Sequence, residues 1–231
     1  MITLKSPAEI KAMREPGRAV AAVLAGHGAR STFLGYQPGF ASVPFPAVIC
    51  ASVNDAALHG IPDGYTLRSG DVLSVDCGAE IGGWAGDAAI TLTVGQAGPS
   101  DIRLVETTRR ALEAGIAAAQ AGSRLGDIAH AIGTVGRAAG YGINTDFGGH
   151  GIGEHMHEEP SVPNEGRPGR GLPLRPGLVL AIEPWFMAGG RDGYRIDDDG
   201  WTLRSADGSR AAHFEHTVAI TADGPLILTL P

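Results

Sequence analysis

The chain has 231 residues, 43% hydrophobic and 19% charged, with a formal net charge of -7; it is long enough to bury a substantial apolar core as one domain. The acidic balance and the lack of any Lys or Arg run exclude the electrostatic footprint of a nucleic-acid binder. Two cysteines, Cys50 and Cys77, are too few for a disulfide framework and do not form a CxxC zinc pattern.

The opening MITLKSPAEIKAMREPGR mixes charges among its apolar residues, unlike a signal-peptide core, and no later apolar run is long enough for a bilayer span, so a cytoplasmic location is expected. Ser6-Pro7-Ala8-Glu9 reads as a capping box with Pro at the first helical position. With Ile10, Met13, Val20 and Leu24 on one face, it predicts a helix over about 7–25. Residues 26–46 scatter Gly and Pro among aromatics and read as an irregular, partly buried segment. From Ala47 the pattern becomes short apolar runs between turn residues: AVICASV, DVLSVDCGAE and GWAGDAAITLTV are predicted strands. Residues 100–121 and 123–139 follow as two helices, starting at Ser100 and Ser123 and ending at Gly122 and Gly140. LVLAIEPWF and HFEHTVAI are strands again, separated by the Gly- and Asp-rich region GGRDGYRIDDDG. The order predicts an α+β domain built on an antiparallel sheet, with residues 1–46 preceding a core over 47–231.

Four acids fall inside apolar strands. Asp76 and Asp87 are eleven residues apart on two strands joined at Gly82-Gly83, a spacing read as placing them face to face. Glu183 lies in LVLAIEPWF and Glu215 in HFEHTVAI, where a bare carboxylate is costly unless paired, hydrogen-bonded or bound to a cation. Each acid alone reads as a buried, hydrogen-bonded carboxylate; four together read poorly that way. His150 in GGHGIG adds an imidazole between glycines that let the backbone turn tightly. One nitrogen and four carboxylates are a donor set for two divalent cations roughly 3.5–4 Å apart. Oxygen-rich ligation disfavours a structural zinc site and suits Mn, Fe or Co, and no HExxH motif is present.

VDCGAEIGGWAGD, GGHGIG, HEEP, AIEP and FEHT, in that order, together with MREPGR near the start, resemble the type I methionine aminopeptidases of the pita-bread metallopeptidase fold. The resemblance runs from about Ala47 to the C-terminus. It implies two pseudo-symmetric halves, a curved antiparallel sheet flanked by helices, and two central divalent ions, Co, Mn, Fe or Zn, with their identity left open. By resemblance Asp76 chelates one ion, Asp87 and Glu215 bridge, and His150 with Glu183 completes the second. A hydroxide between the ions attacks the peptide bond, and Glu183 shuttles the proton to the departing amine. His59 in LHGIP matches the histidine near the scissile amide, and His157 the one that bonds the developing oxyanion. Phe33, Tyr36, Phe45, Cys50, Met156 and Trp201 match the pocket for the methionine side chain. His27, His130, His155, His213 and His216 match no catalytic position and read as structural or exposed.

The chain departs from the family between AAVLAGHGAR and STFLGY, where a second N-terminal helix is normally found, so its N-terminal half is shortened. A sheet face left uncovered there motivates an expectation of homo-oligomerisation. The implied substrate is a peptide or nascent-chain N-terminus with a small second residue, met transiently at the ribosome, with no membrane and no nucleic-acid sequence recognition. Alternatives are a proline-directed aminopeptidase or dipeptidase of the same fold, a non-catalytic peptide-binding member, or a paralogue devoted to a specialised peptide.

Overall fold

The computed structural model describes Leu24 and residues 26–230. Apart from Leu24, the helix expected over 7–25 lies outside the described residues. The strands are β1 (Arg30–Ser31), β2 (Cys50–Val53), β3 (Ala56–Leu58), β4 (Val72–Ile81), β5 (Trp84–Thr93), β6 (Gly149–Gly151) and β7 (Glu158–Val162). They continue with β8 (Val179–Ile182), β9 (Trp185–Met187), β10 (Tyr194–Ile196), β11 (Leu203–Ser205), β12 (Ala211–His213), β13 (Glu215–Thr221) and β14 (Gly224–Ile227). Two helices, α1 (Pro99–Ala118) and α2 (Leu125–Ala138), stand between β5 and β6. The expected pita-bread α+β class holds: one nine-stranded sheet runs β1-β4-β5-β13-β8-β6-β7, with β14 on β13 and β2 on β4, and every ladder is antiparallel. Smaller sheets of β10-β11-β3 and β12-β9 close one end.

The helices form where the sequence predicted them, with different ends. Helix α1 is capped by Gly98 with Pro99 in its first turn, and stops at Ala118, ahead of Gly122. Pro99 suits that place because its missing N–H would have had no intrahelical partner. Helix α2 begins after Arg124, not Ser123: the Arg124 N–H donates to Asp127 Oδ2 at 2.7 Å, closing a capping box. Leu104, Leu112 and Ile116 of α1 and Ile128 and Ile132 of α2 bury against Leu180, Ile182, Val218 and Ile220 of the sheet, forming the main core. That packing anchors β8 and β13, the strands leading into the acidic cluster.

Two predicted strands are each two elements. LVLAIEPWF breaks at Glu183-Pro184 into β8 and β9, and HFEHTVAI breaks at Phe214 into β12 and β13. Pro184 has no N–H for a ladder, so the chain leaves the large sheet there. The partner segment changes sheets at the same level, with the Phe214 N–H donating to the Pro184 carbonyl at 3.1 Å. Glu183 and Glu215 therefore sit at the junction of two sheets instead of inside continuous strands. Residues 26–46 are irregular as expected, with β1 the one strand among them, and Phe33, Ala41 and Phe45 buried.

Candidate metal centre

Register assembles the acids on one sheet face. The β4–β5 hairpin closes at Ile81↔Trp84 through Gly82 and Gly83, both at positive φ. Asp76 pairs with Ala89, and Asp87 pairs with Gly78. The two aspartates are therefore diagonal neighbours, not face to face as their spacing suggested; a turn placed at Gly82-Gly83 sets them two residues apart in the pairing. Ala89 pairs on its other side with Glu215, and Cys50 pairs with Asp76, so one row reads Cys50, Asp76, Ala89, Glu215. Further across, His216 pairs with Ile182, and the next step brings Glu183 alongside Glu215. His150 pairs with Ala181, two residues before Glu183 and on the same face.

Two threonine hydroxyls hold this geometry. Thr217 Oγ1 accepts from the Asp87 N–H and donates to the Asp87 carbonyl, both at 2.9 Å. Thr91 Oγ1 accepts from the His213 N–H at 2.8 Å and donates to the His213 carbonyl at 2.6 Å. Between them β5 and β13 share only the pairs Glu215↔Ala89 and His216↔Ala88, so the hydroxyls extend a short ladder at both ends. Asn164 Nδ2 donates to the Glu183 carbonyl at 3.1 Å. His150 Nδ1 lies 2.9 Å from the Gly151 carbonyl; a proton donated there leaves Nε2 free to face the acids.

The cluster is acidic and buried. Asp87 and Glu215 are 4% and 2% exposed. Burial pushes the Asp76 carboxyl up to about 7 and Glu183 up to about 8. Burial, reinforced by neighbouring acids, holds Asp87 and Glu215 well above the carboxylate range. Among the described residues no Lys or Arg lines the cavity, so no protein cation neutralises the four acids. Asp76 Oδ1, Glu215 Oε1 and His213 Nε2 are buried without a hydrogen-bond partner. Donor atoms converge within 4.8 Å in two groups, Asp87 with His150 and Glu215, and Glu183 with His213 and Glu215. Asp76 lines the same cavity outside both groups. Orphaned donors in an uncompensated acidic cluster fit divalent cations.

The cavity, about 300 Å³, has an acidic floor and an aromatic wall. Phe33, Tyr36, Phe45, Cys50 and Trp201 line it, while Met156 packs behind them, against the same cluster. Burial, with Asp76 beside it, raises the Cys50 thiol well above its usual range, which makes it an apolar wall element, not a thiolate. His59, at φ 56°, meets the aromatic wall, and burial pushes its imidazole down to about 4. His157 stands at the rim, stacked on Tyr36 at 5.0 Å and 4.3 Å from the His150 ring. Phe40 and Phe147 also line the wall and carried no motif; their contacts with Trp201 and His59 come from loops that meet only in three dimensions. Of the histidines read as structural or exposed, His216 turns away, its Nδ1 lying 2.9 Å from Thr229 Oγ1. His213 instead enters the cluster. Its signal was its place two residues before Glu215, which in extended chain puts both side chains on one side.

Such a fold and centre define a metallopeptidase. Residues 9–222 match Metallopeptidase family M24, and the chain belongs to that family. Methionine aminopeptidase 1 of Mycobacterium tuberculosis is 53% identical over 210 residues, covering 88% of this chain and 76% of its own. The crystal structure of methionine aminopeptidase from Rickettsia prowazekii superposes with a TM-score of 0.86 at 31% identity, covering both chains fully. The resemblance to type I methionine aminopeptidases is thus borne out. A prolidase from Pyrococcus furiosus, 22% identical with a TM-score of 0.70 over 95% of this chain and 56% of that one, shares the fold alone.

Proposed function

We propose that this chain removes the N-terminal methionine from peptides and nascent proteins, using two divalent cations held by Asp76, Asp87, His150, Glu183 and Glu215. The observation that carries the reading is the single cavity whose acidic floor meets an aromatic wall. When bound, the cations supply Lewis acidity and lower the pKa of water at the floor. The remaining steps belong to the chain's own groups. Phe33, Tyr36, Phe45 and Trp201, with Met156 behind them, take the apolar thioether, where one methylene or branch discriminates by about 1–3 kcal/mol.

Glu183 is the proton carrier. Its carboxylate, ionised when cations are bound, would accept a proton during attack and pass it to the leaving amine. His59, held neutral by burial, and His157 at the rim each offer an N–H to the scissile amide and its carbonyl oxygen. A nascent-chain substrate places the protein in the cytoplasm and brings it transiently to the ribosome. Self-association through the exposed Trp84, Ile90 and Leu92 of β5 is part of the same reading, and light scattering tests it.

The deciding assay offers the metal-reconstituted protein Met-Ala, Met-Gly, Met-Leu and Ala-Pro peptides, beside an Asp87→Asn control. Cleavage of Met before Ala and Gly, lost in the control, is expected. Cleavage confined to Ala-Pro would move the chain to a proline-directed activity, and metal binding without turnover would make it a binding protein.

A further inference from the structure

Behind the glutamates that the cavity exposes stands a second imidazole. His213 Nε2 lies 3.7 Å from Glu183 Oε2 and 3.9 Å from Glu215 Oε2. The side chain is 3% exposed, and that nitrogen has no hydrogen-bond partner among the described residues. Both separations exceed a hydrogen bond, so the imidazole does not tie the carboxylates directly. Donors each about 2.1 Å from one shared ion lie roughly 3–4 Å apart. The three atoms have that spacing, and all fall within 4.8 Å of one another.

The ring is also held in place. His213 ends β12, pairs with Trp185 of β9, and has both backbone groups bound by the Thr91 hydroxyl. Phe214 then carries the chain across to β13, leaving His213 and Glu215 on one side of an extended segment. Glu183 consequently stands between two imidazoles, with Oε1 3.7 Å from His150 Nε2 and Oε2 3.7 Å from His213 Nε2. His150 approaches from the cavity lining and His213 from behind it.

We propose that His213 is a further metal ligand, its Nε2 joining Glu183 and Glu215 in holding one of the two cations from the side opposite the open cavity. The proposal rests on the dimetal reading above. A second nitrogen donor moves the site from oxygen-dominated ligation toward Co, Fe or Zn and away from Mn.

Calorimetric titration of the metal-free chain with Co(II) and with Mn(II) tests it on the parent, His213→Gln and Asp87→Asn. His213→Gln is expected to weaken one of two Co(II) binding steps by roughly 10–100-fold, with a smaller loss for Mn(II). Co(II) isotherms of His213→Gln matching the parent's, with binding lost in Asp87→Asn, would overturn the ligand assignment and leave the dimetal reading intact. Undiminished Co(II) binding by Asp87→Asn would overturn the dimetal reading itself. A measurement on the parent needs no variant to fold: its Co(II)-loaded NMR spectrum should show two solvent-exchangeable, hyperfine-shifted imidazole N–H signals, from His150 and His213. A single such signal would sink the proposal.

Discussion

Asp76 and Glu215 are both paired to Ala89, one from each side, so the two carboxylates flank a single methyl group across the middle strand of the centre. Strands lie about 4.8 Å apart, which leaves the acids separated by two strand spacings with almost nothing between them. That small residue keeps the floor open. Ala89 is 2% exposed, so a larger side chain has nowhere else to go. Ala89→Val is expected to lower metal affinity at least ~10-fold and turnover further, by displacing donors from their shared positions. Calorimetry against Co(II) and peptide assays at saturating metal check it, and unchanged metal affinity would refute the claim that the floor must be open here.

Removing the hydroxyl at Thr217 tests how the centre is held. Thr217→Val keeps the shape but strips both hydrogen bonds from the buried Asp87 backbone. A stability loss of about 2–3 kcal/mol is expected, because two groups are left unsatisfied. Urea unfolding of the metal-free protein measures this cost.

Stability should depend on pH in opposite ways with and without metal. Asp76 and Glu183 titrate near 7 and 8 in the metal-free fold, against about 4 in the unfolded chain. Their folded pKa values are raised, so their stabilising contribution is complete below about pH 4 and is lost as pH rises through 7 to 8. Thermal melting of the metal-free protein should therefore fall from pH 5 to 8. Bound cations require ionised carboxylates, so saturating Co(II) should raise the melting temperature more at pH 8 than at pH 6. A metal-induced increase that is equal at both values would contradict the prediction.

Away from the centre, Arg137 near the end of α2 forks onto Glu165 and Asp192 at 2.6–3.0 Å. Hydrogen bonds from its guanidinium hold both carboxyls below their usual range. Depressed values mean the contribution is present above the unfolded pKa near 4 and fades as pH falls through the lower folded values. Arg137→Met should cost about 1 kcal/mol at pH 7, discounted because all three side chains are more than one-third exposed. The difference from the parent should shrink below pH 4, as followed by chemical denaturation.

The chemistry of the centre was legible because strands with period-two alternation have no polar reason to carry Asp76, Asp87, Glu183 and Glu215 in their apolar stretches. Helices α1 and α2 were legible for a similar reason, since Leu112, Ile116, Ile128 and Ile132 repeat at helical spacing. Their first residues were not, because a cap is chosen by local contacts such as Arg124 with Asp127.

What the amino-acid order determined by itself was the set of buried acids and the antiparallel class, since burial cost and periodicity act on each residue locally. What only the tertiary structure decided was who meets whom. Two residues of register put Gly78, not Asp76, opposite Asp87. A paired break at Pro184 and Phe214 carried two strands between sheets and aimed His213 at the glutamates. Loops distant in sequence brought Phe40 and Phe147 to the aromatic wall. Register and strand crossing depend on the closing turn and on packing by the whole sheet, and no local pattern in the chain encodes either.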